Sequence, residues 1–152
     1  MDKIDLKILQ ALQEDASAPL ASVAKKANLS TTPCWRRIEK LRKDRVILRQ
    51  VTLLDAKKVN LGVTVFVSIK TSRHESGWLE AFARGVSRMP EVMELYRMSG
   101  DIDYLLRIVV PNIEGYDAFY KRLIQVCELH DVSSSFAMEQ IKYTTALPLS
   151  HL

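Results

Sequence analysis

Four cations in one short stretch, Arg36, Arg37, Lys40 and Lys43, are the side chains of this sequence whose spacing most directly suggests chemistry. They lie in the run from Ser30 to Lys43. At about 100° per residue, Cys34, Ile38 and Leu41 share one side of a helix while Arg36, Lys40 and Lys43 share the opposite one. One face can pack inward while the other touches phosphates. Thr32 is placed as the N-cap and Pro33 as the first helical residue, where a missing N–H has no intrahelical partner to lose. Alone, a cationic face of this kind is most often only solvated. Here a short helix ending at Asn28 and a tight Asn28-Leu29-Ser30 turn precede it, the helix-turn-helix arrangement that lays its second element in a DNA major groove. On that reading double-stranded DNA is the partner. Thr31, Thr32, Trp35 and Arg36 approach base edges or groove walls, and Arg37, Lys40 and Lys43 mainly face phosphate. Trp35 lies about 90° from the apolar stripe, which leaves two roles open: contact with DNA or a buttress for the helix.

A second polar cluster, Ser99-Gly100-Asp101-Ile102-Asp103-Tyr104, combines two carboxylates with a glycine that lets the backbone come close to a ligand. Turn chemistry alone explains Gly and Asp at a hairpin. A site offering a carboxylate to an ammonium group and backbone donors to a carboxyl group would also suit a free amino acid, which carries both charges. Elsewhere the chemistry thins out. His74, His130 and His151 fall in loops or the tail without metal-ligand spacing, so surface positions and no metal are expected. Cys34 and Cys127 lie far apart on apolar helix faces and are expected in the core, not in a disulfide or a metal site. There is no glycine-rich phosphate loop and no nucleophile elbow. Neither a catalytic residue nor a cofactor is expected.

The charge is divided unequally along the chain. Residues 1 to 52 carry 11 Lys/Arg against 6 Asp/Glu, a net of +5, and residues 53 to 152 carry 11 against 12, a net of −1. A basic small domain joined to a near-neutral larger one fits a polyanion-binding part and a part with another task. With 47% hydrophobic and 26% charged residues the 152-residue chain has a folded, water-soluble composition, which excludes disorder and fibre. The early charges Asp2, Lys3, Asp5 and Lys7 do not read as a signal peptide, and no apolar run approaches the roughly 18 residues of a membrane span. The cytoplasm is the expected compartment.

The elements that must position these residues follow from periodicity. Asp2 caps a first helix that carries the stripe Ile4, Ile8, Ala11 and Leu12 and runs to about Glu14, with Asp5 at its third position. After Ser17-Ala18-Pro19, the stripe Leu20, Val23, Ala24 and Ala27 marks a second helix ending at Asn28, which tolerates the left-handed conformation. The cationic helix is the third. Val46 to Leu54 is rich in β-prone residues and reads as the two strands of a wing. A winged helix-turn-helix domain over 1–52 and a linker over 53–61 result.

From residue 62 the rhythm changes. Val63, Val65, Val67 and Ile69 alternate as a strand, and Trp78, Phe82, Val86 and Met89 recur at helical spacing. Val92 to Ser99 and Tyr104 to Val110 read as strands joined by the Gly100 turn, with Pro111 ending the second. Tyr116, Phe119, Tyr120, Leu123 and Cys127 form a helical stripe, and Ser133 to Tyr143 returns to a strand. The order βαββαβ over 62–152 predicts a ferredoxin-like split βαβ, so that the whole chain is α+β. Its sheet has one face covered by two helices and one uncovered. Phe66 and Tyr96 lie on one or the other according to register, and an open apolar face predicts at least a dimer.

Three segments, DKIDLKILQALQEDA, LSTTPCWRRIEKL and SGDIDYLLRI, resemble in order and spacing the first helix, the recognition helix and the effector loop of the Lrp/AsnC family of transcription regulators. Within it, TTPCW and SSFAMEQIKYTTALP are most similar to the cysteine-detoxification branch. The resemblance implies a regulator with an effector-binding ferredoxin-like (RAM/ACT-like) domain. It also implies homodimers paired through their sheets, assembly into octamers or larger rings, and amino acids bound between dimers. Carried onto this chain, the effector site draws on Met98, Gly100, Asp101, Asp103 and Tyr104, with Ser133, Ser134 and Ser135 as polar neighbours; cysteine is the first ligand to try. One residue departs from the family pattern. Arg45 stands where glycine usually follows the recognition helix, so either the turn is built differently or Arg45 sits near phosphate. Two other functions compete with an amino-acid-responsive regulator: an enzyme resembling the sirohaem decarboxylases on the same scaffold, and a nucleoid-organising protein of low sequence preference.

Overall fold

The computed structural model describes residues 1–71, 76–126 and 128–152. His74 and Cys127 lie outside the described residues. The chain divides into two compact units, residues 1–52 with 141–152, and residues 53–140.

The first unit contains α1 (Lys3–Glu14), α2 (Leu20–Lys26) and α3 (Thr31–Lys43). Asp2 caps α1 through a capping box: its carboxylate accepts from the Ile4 and Asp5 N–H groups, and the Asp5 carboxylate accepts from the Asp2 N–H. Ile8, Leu9, Ala11, Val23, Ala24, Ala27, Cys34, Ile38 and Leu41 close one core, with Ile4 and Leu12 at its edge. That burial settles the inward face of each helix. At the end of α2, Asn28 takes φ 56°, and the Leu29 and Asn28 N–H groups bond back to Ala24 and Lys25 O. A left-handed residue that returns two donors to the last turn fixes the sharp entry to α3.

Residues 46–54 form no strand, and the predicted wing is corrected accordingly. The Val46 and Ile47 N–H groups both bond to Leu41 O and so serve the end of α3 instead of a ladder. Val46, Leu48, Val51, Leu53 and Leu54 are exposed. β-prone residues make a strand only where a partner supplies the other half of the ladder. The tail differs as well. Residues 141–152, expected in the second domain, belong to the first unit, where Leu147 exchanges two hydrogen bonds with the Gln13 side chain (2.7 and 3.2 Å) and Leu149 packs at the helical core.

The second unit runs β1 (Val63–Lys70), α4 (Ser76–Val86), β2 (Val92–Arg97), β3 (Tyr104–Val110), α5 (Ile113–Val126) and β4 (Asp131–Phe136). All pairings are antiparallel and the sheet order is β2-β3-β1-β4, the split βαβ arrangement. Val65, Val67 and Ile69 of β1 and Tyr104, Leu106, Ile108 and Val110 of β3 face Phe82 and Val86 of α4 and Phe119 and Leu123 of α5. A Cβ on Gly85 would run into Val126 Cγ1, so glycine there lets α4 and α5 approach.

Register places Phe66 and Tyr96 on the other face, 40% and 51% exposed, where the Arg107–Glu94 ion pair (2.7 Å) also lies. The Arg107 guanidinium foremost holds the Glu94 carboxyl below its ordinary 4.5, although burial opposes it. A depressed folded-state value stabilises the fold above the unfolded pKa, and that contribution is lost as pH falls through the folded value. Glu94→Gln should therefore flatten the acid side of a stability-against-pH curve below about pH 4.5, while an unchanged curve would show the pair to be idle.

The predicted fourth strand, Ser133 to Tyr143, begins two residues earlier and stops at Phe136. Its partner runs out: Phe136 pairs with Val65, the Ala137 N–H makes a last bond to Thr64 O, and β1 begins at Val63. Met138 and Ile141 beyond are exposed.

Candidate nucleic-acid interface and ligand loop

Helix α3 starts at Thr31, two residues before Pro33, where the sequence places its first helical residue. Its N-cap is Ser30, not Thr32, and makes no side-chain cap bond. Pro33 is the third helical residue, and the first return bond is Cys34 N–H to Ser30 O at 3.2 Å, so the missing proline donor still has no partner to lose. Thr31 and Thr32 are exposed at the amino end. Trp35 is 53% exposed and stands outside the helical core.

The four cations have different surroundings. Arg36 and Lys43 are exposed and have no carboxylate partner among the described residues. Lys40 pairs with Asp44, one turn on, an exposed pair of small worth that phosphate can displace. Arg37 departs from its predicted phosphate-facing place. Its Nη1 donates to Asp2 Oδ2 at 2.7 Å and to Asp5 Oδ1 at 2.8 Å, so it fastens α3 to the capping box of α1. The Asp5 N–H foremost, and Arg37 after it, hold the Asp2 carboxyl below its ordinary 3.8. Asp2 and Asp5 were legible in sequence as a cap. Nothing in local spacing reveals a partner more than thirty residues away.

In the second unit, the loop between β2 and β3 closes with Met98 N–H bonded to Asp103 O at 2.8 Å. Gly100 takes φ 132°, a conformation L side chains rarely adopt, and a Cβ there would meet nothing within 4 Å. Backbone angle, not space, therefore calls for glycine. Asp101 is exposed and has no protein partner among the described residues. Asp103 ties the loop to the end of β1: its N–H bonds to Ile69 O at 2.9 Å, and its Oδ2 accepts from the Thr71 N–H at 2.8 Å.

Tyr104 turns away from the loop. It is 5% exposed and packs against Phe82 (5.0 Å between ring centres) and Trp78 (6.0 Å), inside the core. The serines divide by strand alternation. Ser134 faces the helices and accepts from Tyr116 Oη at 2.5 Å, while Ser133 and Ser135 lie opposite Ser68 and Phe66 on the open face. Tyr104 and Val132 flank Ile69 on either side of β1. The loop and the start of β4 thus share one end of the sheet; Ser133 is nearest that end, and Ser135 is two residues further along.

A helix-turn-helix with a basic face is followed in this chain by a split βαβ unit with a glycine-aspartate loop at one sheet end, and each part matches a known family. Residues 1–42 match the AsnC-type helix-turn-helix domain and residues 64–147 the Lrp/AsnC ligand-binding domain. The chain belongs to the Lrp/AsnC family. This Lrp/AsnC protein is 51% identical over 150 residues to the DNA-binding transcriptional activator DecR of Escherichia coli K12, covering 98% of this chain and 99% of that one. Its fold superposes on the crystal structure of an AsnC family transcriptional regulator from Agrobacterium tumefaciens with a TM-score of 0.97, 62% identity and coverage of 100% and 99%. It superposes on a Neisseria meningitidis transcriptional regulator in complex with L-methionine with a TM-score of 0.95, 34% identity and coverage of 99% and 98%.

As an Lrp/AsnC regulator near the DecR branch, the protein is a DNA-binding transcription regulator and not an enzyme, so the decarboxylase reading falls. Among the described residues no cluster of His, Cys, Asp and Glu could hold a metal ion, and no helix is long and apolar enough to cross a membrane.

Proposed function

We propose that this Lrp/AsnC regulator binds operator DNA through α3 and changes its DNA affinity or assembly when a small amino acid occupies the region of the Gly100–Asp103 loop. The observation that carries this reading is a division of labour. Arg36 and Lys43 are exposed on α3 without a carboxylate partner among the described residues, while the polar groups of the loop, Asp101 above all, belong to the other compact unit. Thr31, Thr32, Trp35 and Arg36 read the groove, Lys40 and Lys43 meet phosphate, and Arg37 positions the helix. Met98, Gly100, Asp101 and Asp103 form the effector side, with Ser133 as polar neighbour. Tyr104 and Ser134 back it from the helix-covered face, and Ser135 lies on the open face two residues beyond Ser133. Homodimers joined through the open sheet face, assembled into octamers or larger rings, would place this region between subunits, where amino-acid binding could alter assembly. Methionine, the ligand of the Neisseria relative, and cysteine, suggested by the branch, are the first effectors to try.

The test is a titration against promoter DNA and random DNA, with and without single amino acids. Preference for the promoter by a factor of a thousand or more, shifted by one amino acid, is the expected result. Equal affinity for both DNAs would mark a nucleoid-organising protein instead. Affinity should fall steeply between about 50 and 200 mM salt, because each assembly brings the α3 cations to DNA more than once and releases several counterions. Arg36→Ala should weaken promoter binding by about 1 to 3 kcal/mol and relax preference at one base position. Uniform weakening on every sequence would make Arg36 a phosphate contact.

A further inference from the structure

Among the described residues three other than glycine have positive φ: Asn28 at 56°, Asn60 at 60° and Arg45 at 59°. Asparagine adopts this conformation with little strain because its short amide bonds locally; arginine has no such compensation. Yet Arg45 ends α3 with full regularity. Its N–H bonds to Arg42 O at 3.1 Å and the Val46 N–H to Leu41 O at 2.9 Å, the paired bonds of a helix end usually completed by glycine. Strain kept at one position points to a task for that side chain.

The side chain is free to perform one. Arg45 and Arg49 are exposed and have no carboxylate partner among the described residues, and with Arg42, Ile47, Leu48 and Gln50 they line one shallow hollow beside the end of α3. Arg42 is paired with Glu39 at 2.7 Å, whereas Arg45 and Arg49 bring charge to the hollow with no carboxylate beside them among the described residues. The length of α3 says what meets it. When the amino-terminal residues of α3 meet base edges in the major groove, the thirteen-residue helix extends roughly 20 Å against a groove about 12 Å wide, so its carboxyl end emerges beside the phosphate wall.

We infer that Arg45 and Arg49 form a phosphate clamp that extends the DNA footprint beyond α3, and that the left-handed Arg45 gives up stability for this contact. The inference rests on the DNA-binding reading of α3.

The full-length protein is titrated with a labelled random-sequence duplex at several salt concentrations, and its thermal unfolding is followed in parallel. Arg45→Gly should raise the melting temperature by about 2 to 8 °C, because glycine relieves the left-handed strain. The same variant should bind DNA roughly tenfold more weakly, with the salt slope reduced by about one for each Arg45 engaged. Arg45→Asn should share the loss of binding, and Arg45→Lys should retain the wild-type slope. Weaker binding by Arg45→Gly with an unchanged slope would mean a loosened helix end and overturn the clamp, as would unchanged affinity in all three variants. A wild-type protein that shows no salt-dependent DNA binding would instead bring down the reading of α3 itself.

Discussion

Phe82→Ala is expected to destabilise the second unit by about 3 to 5 kcal/mol, the range for deleting a large buried aromatic. Phe82 is fully buried, stacked on Trp78 at 5.1 Å with planes 9° apart, and 5.0 Å from Tyr104. Its removal leaves a cavity bordered by the residue that begins β3 immediately after Asp103, so the sheet end carrying the ligand loop loses its backing. Refilling would require Tyr104 or Trp78 to leave its own packing, which limits relaxation and keeps the cost high. The first unit has a separate core built on Ile8, Val23, Cys34 and Leu41. Chemical denaturation followed by far-ultraviolet dichroism, together with hydrogen exchange resolved by residue, should show early loss of protection in β1 and β3 and little change in α1 to α3. A loss below about 1 kcal/mol would mean that the aromatic cluster closes over the gap.

The parts of this architecture legible in sequence are those governed by short-range periodicity. Val65, Val67 and Ile69 alternate, Phe119 and Leu123 recur one helical turn apart, and the structure buries all five. Asp2 and Asn28 are as readable, because a cap and a left-handed helix end depend on the residue itself and its immediate neighbours. The misses share another cause. Val46 to Leu54 has the composition of strands, but a ladder needs a partner, and the Val46 and Ile47 donors are already engaged with Leu41. Residues 137–143 likewise lack a neighbour once β1 begins at Val63.

The candidate site was readable in residue type more than in orientation. The Gly100 loop lies where turn chemistry places it. That Tyr104 points inward follows from its register opposite Ile69, and that Ser134 faces the helices follows from its pairing with Val67. Both are long-range facts. The charges of α3 show the same limit: Arg36 and Arg37 are adjacent in sequence and equal in type, yet only Arg37 meets Asp2 and Asp5.

Asp103 is the residue at which turn geometry and ligand recognition can be separated. Its Oδ2 accepts from the Thr71 N–H, while Oδ1 makes no hydrogen bond among the described residues and remains able to face an ammonium group. Asp103→Ala removes both functions. Taking the acceptor away from a largely buried N–H costs about 1 to 3 kcal/mol of stability. Loss of the counter-charge to an effector amine should weaken ligand binding by about 3 to 5 kcal/mol if the pair is desolvated, and by less than about 1 at an exposed rim. Asp103→Asn keeps a carbonyl for Thr71 and deletes only the charge, so it should fold with nearly wild-type stability and still lose the effector. DNA binding without effector should persist in both variants, because every proposed DNA contact lies in residues 31–49. A ligand moves an equilibrium only by its differential affinity for the two states, typically 1 to 3 kcal/mol of coupling, so abolishing ligand binding removes the switch and leaves the unliganded assembly as it was. Calorimetry with the effector and promoter titration in its presence and absence decide the matter. If Asp103→Asn binds effector and responds as the wild type does, Asp103 is a turn residue only, and Asp101 becomes the carboxylate to test.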